Sequence, residues 1–196
     1  VMSLTRRFEL LDAANKAQAI IVEDDYDGEF HFAGRPQPAL KSIDTQDRVI
    51  YVGTFSKTLF PSLRLGFMLV PNSLVRVFDT VFSSWISSPP TSTQAIVADF
   101  MEEGQFATHI RMMRRLYHAR YNVLIEASKL LPHTIRMQRT NSGFHTTAYL
   151  EPAIDENELV TQAEAQIVTI APLNRYCLSP IAQKGIVLGF GSSSPD

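Results

Sequence analysis

Two short stretches hold most of the side chains able to do chemistry. The first, Glu23-Asp24-Asp25-Tyr26-Asp27-Gly28-Glu29, is rich in carboxylates and follows the apolar run Ala19-Ile20-Ile21-Val22 directly. Along an extended chain Asp24 and Tyr26 share one face, and Asp25 and Asp27 share the other. Such a run also fits a solvated acidic loop. A calcium loop is the weaker alternative, since the EF-hand spacing with its distal Glu is absent. The second stretch runs from Gly53 to Gly66, with the hydroxyls of Thr54 and Ser56 ahead of Lys57 and Arg64 seven residues beyond it. Hydroxyls and a guanidinium converging at a strand end make a phosphate cradle, because arginine binds phosphate bidentately. A lysine in the same turn is either a phosphate point charge or an amine tuned to attack a carbonyl. The Walker A pattern is missing. A surface lysine in a Ser/Thr turn is the competing reading.

The elements around these stretches give them a common place. Leu4, Phe8, Leu11 and Ala14 recur at helical spacing behind Ser3, a candidate N-cap, so a helix is expected over 3–17. The runs 19–22, 48–53 and 65–70 read as buried-type strands, the first of them parallel, with a proline-bearing loop (Arg35-Pro36-Gln37-Pro38) after the first. Both chemical clusters therefore fall at ends of neighbouring strands, where open α/β sheets bind ligands. Leu74, Val77, Phe78, Val81 and Phe82 fit a helix that stops before Pro89-Pro90. Another helix is expected from Thr91 to Glu103, ending at Gly104. A long amphipathic helix then runs from Phe106 to Leu131, stopped by Pro132. Beyond it the pattern gives strands near 134–138, 145–150, 167–170 and 186–190, with a helix near 156–166. The fold class is α/β with a small C-terminal α+β subdomain. The expected division is 1–103 as part of a large domain, 104–131 as an interdomain helix and 132–196 as a small domain.

Composition removes several classes of function. With 45% hydrophobic and 19% charged residues in 196, the chain can build a core and is neither disordered nor fibrous. A net charge of −2 gives no overall attraction to nucleic acid or anionic membrane. No run approaches the ~20 apolar residues of a membrane span, and no secretory signal is present, so a cytoplasmic location is expected. Cys177 is the single cysteine, which excludes an internal disulfide and a cysteine zinc site. His31, His109, His118, His133 and His145 show no metal-ligand spacing, and no metal is expected. Arg111, Arg114, Arg115 and Arg120 read as a solvated or subunit-contact face of the long helix. Only Gly191-Ser192-Ser193-Ser194 is of low complexity.

The stretch Val22 to Phe30, together with Arg48-Val49-Ile50-Tyr51-Val52-Gly53-Thr54-Phe55-Ser56-Lys57 and Arg64-Leu65-Gly66, closely resembles the aminotransferase-like domain of MocR-type regulators. These are members of the GntR superfamily with the fold type I pyridoxal-phosphate architecture. The segment from Gly104 to Tyr117 is similar to the same family's interdomain helix. The resemblance implies that Lys57 forms the internal aldimine with pyridoxal 5′-phosphate. It implies that Asp24 faces the pyridine nitrogen, keeping the ring protonated as an electron sink, and that Tyr26 donates to the phenolic oxygen. Thr54, Ser56 and Arg64 would hold the 5′-phosphate, Arg64 having a salt bridge as its structural alternative. Arg175, in Pro172-Leu173-Asn174-Arg175-Tyr176, would grip a substrate carboxylate, with a surface arginine as an equal description.

Free-standing class I/II aminotransferases share these cofactor motifs. They commonly carry an arginine near the last strand, where this chain has Val187 in Gly185-Ile186-Val187-Leu188-Gly189-Phe190. That difference favours a sensor that takes an amino compound, or the cofactor itself, as effector over an enzyme transferring amino groups between amino acids and 2-oxo acids. The resemblance further implies a homodimer and DNA contact only through a domain outside this chain. The chain is expected to start within the large domain, after a glycine-containing phosphate loop and a ring-stacking aromatic, and so to bind the cofactor weakly by itself.

Overall fold

A computed structural model describes residues 2–34, 36–84, 90–131, 133–179 and 181–192. Pro89 and Pro132, expected to stop helices, lie outside the described residues, as do Arg35 of the proline-bearing loop and Ser193-Ser194 of the terminal tail. The chain forms two compact units, one of Val1–Glu29 and Arg35–Ile110, the other of Phe30–Gly34 and Arg111–Asp196.

In the first unit, α1 (Leu4–Ala17) starts where Ser3 Oγ accepts the Arg6 amide, and it ends at Gln18 in the left-handed region. Strand β1 (Ile21–Asp25) runs parallel to β2 (Val49–Thr54), and β3 (Gly66–Leu69) lies antiparallel on the other side of β2. β2 is the covered centre, with Val49 fully enclosed and Ile50 buried. The flanking strands correct the sequence expectation of three buried strands. Val22 in β1 is 65% exposed, and all four residues of β3 are exposed. Both are edges of a three-stranded sheet, and an apolar run alone does not distinguish an edge from a centre. Two short helices serve the sheet, α2 (Leu40–Ile43) and α3 (Phe55–Thr58). α4 (Val75–Ser84) follows a 3-10 turn at Asn72–Leu74, and α5 (Thr91–Glu102) supplies Val97 to a core with Phe55 and Leu65. Gly104, with φ 74°, closes α5 as expected of a glycine in the left-handed region.

α6 (Gln105–Ser128) passes from the first unit's residues into the second's, and i→i−3 turns carry the chain on to Leu131. The second unit holds an antiparallel sheet in the order β4 (Ile135–Met137), β5 (His145–Leu150), β7 (Gly185–Gly189), β6 (Ala171–Pro172). Ala148, Leu150 and Ile186 form its core. Phe30, Tyr117 and Phe144 pack edge-on or tilted with ring centroids 4.7–5.1 Å apart. α7 (Glu156–Ala165) is capped by Asp155, and the Glu156 carboxylate, 5% exposed, accepts the Gly185 amide at 2.9 Å.

The strand expected over 167–170 does not form. Ile167 turns left-handed (φ 62°), and the Val168 amide bonds back to the Ala163 carbonyl. The segment's backbone thus closes α7, leaving a two-residue strand at Ala171–Pro172.

Candidate cofactor site

The carboxylate cluster divides by role once the register is known. β1 pairs Glu23 with Tyr51, Asp24 with Val52 and Asp25 with Gly53. Glu23 is a structural anchor: its carboxylate accepts the Leu40 and Lys41 amides at 2.7 and 3.0 Å and pairs with Arg7 at 3.2 Å. Asp25 organises the turn after β1, accepting the Gly28 amide at 2.9 Å and the Tyr51 hydroxyl at 3.0 Å. A Cβ at position 28 would stand 2.4 Å from the Asp25 carboxylate, so a larger residue would push that side chain aside and disturb its bond to the residue 28 amide. Burial and then the Asp25 carboxylate hold the Tyr51 phenol well above its ordinary range, keeping it a donor. Asp24 is exposed and makes no hydrogen bond or ion pair among the described residues. Tyr26 is 47% exposed, and its phenol is raised by the charge of Asp27, then by burial and by Asp24. It is an O–H donor at neutral pH.

The second cluster sits at the end of the adjacent strand. Thr54 is the N-cap of α3, its Oγ1 accepting the Ser56 amide at 3.1 Å. Phe55 and Thr58 turn into the core, while Ser56 is partly exposed and Lys57 exposed. Arg64 caps a 3-10 turn at Pro61–Leu63 with φ 50° and is exposed. The next residue, Leu65, accepts the Phe55 amide at 3.0 Å, and Gly66 pairs with Thr54. This is what brings Arg64 beside the Thr54–Lys57 turn. The approach is close, because a Cβ on Gly66 would lie 2.9 Å from the Gly53 carbonyl. Lys57 and Arg64 make no ion pair among the described residues.

The structure therefore gathers Thr54, Ser56, Lys57 and Arg64 at one strand end and sets Asp24 on the parallel neighbour, with Tyr26 in the bend just past its end. Arg175 belongs to the second unit, exposed in the 3-10 turn Leu173–Tyr176. The donor set fits a phosphorylated pyridine aldehyde: hydroxyls and a guanidinium for phosphate, an amine for the aldehyde, and a carboxylate and a phenol for the ring. Sequence reasoning missed His109, which bonds the Thr58 carbonyl at 2.8 Å, and the anchoring role of Glu23. No local pattern announces a partner so distant along the chain.

Comparison with known proteins follows the same lines. The family profile described as aminotransferase class I and II matches residues 3–180. The chain is 40% identical over its full length to the probable rhizopine catabolism regulatory protein MocR of Rhizobium meliloti, spanning 40% of that protein. It is 38% identical to the uncharacterized HTH-type transcriptional regulator YhdI of Bacillus subtilis, spanning 42% of it. Aromatic-amino-acid aminotransferase 1 of Thermococcus litoralis is 30% identical over 87% of this chain, which spans 41% of that enzyme. Among solved structures, kynurenine aminotransferase of Pyrococcus horikoshii, crystallised with PMP, superposes over the whole chain with a TM-score of 0.85 and 26% identity. The chain covers 48% of that structure, and so spans two fifths to half the length of each of these proteins. It is a mixed α/β domain of the fold type I kind, and it belongs to the class I and II aminotransferase family.

Proposed function

We propose that this chain is the pyridoxal-phosphate-binding, effector-sensing part of a MocR-type transcription regulator. The observation that supports the reading is that Asp24, Lys57 and Arg64, without an ion pair among the described residues, lie close to the ends of the paired strands β1 and β2 and to the Leu65–Phe55 bond. The cofactor would supply an aldehyde that condenses with an amine, losing one water, and a protonated ring that draws electron density. Lys57 is the amine. Asp24 holds the proton on the ring nitrogen, a charge-assisted contact that an amide cannot reproduce. Tyr26 donates its O–H to the phenolic oxygen. Thr54, Ser56 and Arg64 hold the phosphate, and Arg175 takes the carboxylate of an amino-compound effector. DNA contact through a domain outside this chain, homodimer formation and a cytoplasmic setting belong to the same reading.

Two observations support a regulator over an enzyme. Identity to the two regulators is 40% and 38%, against 30% to the aminotransferase. Val187 also stands in β7, where aminotransferases commonly carry an arginine. The second reading, an aminotransferase, is favoured by the solved structure that the chain superposes on. Turnover of an amino donor with 2-oxoglutarate by the full-length protein separates them, and absence of turnover is expected.

The site itself is tested by borohydride reduction in the presence of pyridoxal 5′-phosphate, followed by peptide mapping. Label is expected on Lys57, and a main product on Lys16, Lys41, Lys129 or Lys184 refutes the assignment. Arg64→Ala should weaken capture of pyridoxal 5′-phosphate ten- to a hundredfold, about 1.5–3 kcal/mol for one charge-assisted contact, and leave capture of unphosphorylated pyridoxal unchanged.

A further inference from the structure

α3 is only four residues long, and its last carbonyls have no partners within the helix. Lys57 is displayed from this turn, so the orientation of its amine is only as well defined as the turn itself. The first turns of α6 supply two contacts at matching spacing. Phe106 meets Phe55 edge-on at 5.9 Å, and His109, three residues on, places Nε2 at 2.8 Å from the Thr58 carbonyl. Residues three apart share a helix face. The pair 106/109 therefore grips the pair 55/58, and Ser56 and Lys57 are left facing outward. Thr58 is 2% exposed, so its carbonyl has little access to water, and leaving it unbonded would be costly. A carbonyl can only accept, which fixes the neutral ring as the Nε2–H tautomer. Phe106, His109, Phe55 and Thr58 all belong to the first unit.

We propose that His109 is a positioning residue for Lys57: its ring N–H holds the Thr58 carbonyl and thereby fixes the α3 turn that presents the lysine. The inference rests on the reading of Lys57 as the cofactor lysine, and its test has one arm independent of that reading.

In cofactor-free protein, hydrogen exchange is measured at the Leu59 amide, which bonds the Phe55 carbonyl at 2.8 Å, with β5 amides as internal reference. His109→Ala should speed exchange at Leu59 about tenfold, or ~1.4 kcal/mol, with β5 unchanged. His109→Gln, whose side-chain amide nitrogen extends about as far from the backbone as Nε2 does, should restore protection. Borohydride trapping of pyridoxal 5′-phosphate at Lys57 should slow about tenfold in His109→Ala and recover in the same rescue variant. Wild-type exchange at Leu59 in His109→Ala, equal loosening of β5, or failure of His109→Gln to restore protection overturns the proposal. So does a loosened turn with unchanged trapping. If wild-type protein traps no cofactor at Lys57, the functional reading fails and the exchange arm alone judges the clamp.

Discussion

Asp24 and Asp25 are adjacent and chemically identical, yet the strand separates their duties. Asp25 is engaged by Gly28 and Tyr51, whereas Asp24 faces the other side of the sheet with neither. Asp25→Asn keeps one acceptor oxygen and gives up a charged one, which should cost about 1 kcal/mol of stability in urea unfolding. Asp24→Asn should leave stability within ~0.5 kcal/mol, as surface substitutions do, while slowing borohydride-trapped capture of the cofactor at Lys57. Equal effects of the two substitutions on capture would contradict the facing of β1. Glu23 gives the opposite expectation. Its side chain is 11% exposed and that of Arg7 14%, so their ion pair is largely out of water. Glu23→Gln leaves the guanidinium without a counter-charge and one of the two α2 amides without a strong acceptor. A loss of about 3 kcal/mol is expected, with α1 and α2 loosening together in hydrogen exchange. An unchanged urea midpoint would show that solvent replaces the pair.

At the scale of elements, carboxylates that close turns give the fold an acid limit. Asp155 caps α7 through the Glu158 and Asn157 amides, and these bonds hold its carboxyl below the usual range. Asp47 is lowered by its hydrogen bond from Lys41 and by the Asn72 amide. A carboxylate whose folded pKa is depressed adds stability above its unfolded pKa and loses it as pH falls through the folded one. Thermal unfolding should therefore lose stability below about pH 4, near the reference pKa of aspartate. Asp155→Asn, which still caps but does not titrate, should flatten part of that limb. A limb identical to wild type would show that this cap contributes nothing to it. These turns also show how much of the fold was legible in the sequence. Ser3, Gly104 and the periodicity of α1, α5 and α6 are local signals, and the elements follow them. The run 167–170 looks like a strand because its composition is apolar, but its backbone is taken by the end of α7. The Thr54–Lys57 turn could be read from residue types at a strand end. The His109 contact could not, because it joins a side chain to a carbonyl 51 residues away, and backbone carbonyls carry no sequence signature.

For the molecule as a whole, the exposed apolar surface of the first unit sets its behaviour in solution. β1 and β3 are both edges among the described residues, and Val22, Phe67, Met68 and Leu69 are 65, 37, 39 and 51% exposed. An edge strand with open hydrogen-bonding groups and apolar side chains is a template for pairing with another chain. The relatives that the chain matches are at least twice its length, so within a longer protein these edges can have further neighbours. The 196-residue chain by itself should associate with rising concentration across the micromolar range, where exposed edges become hazardous. Leu69→Lys places a charge on the half-exposed edge position opposite Tyr51, where a long side chain can reach water without disturbing the covered centre of β2. Sedimentation velocity should show a concentration-dependent shift for the wild-type chain and a much weaker one for the variant, with far-ultraviolet circular dichroism unchanged. A wild-type chain that stays monomeric throughout would refute the association expected of these edges. Association unaffected by Leu69→Lys would move the contact elsewhere, to a surface such as the exposed Val77 and Phe82 of α4.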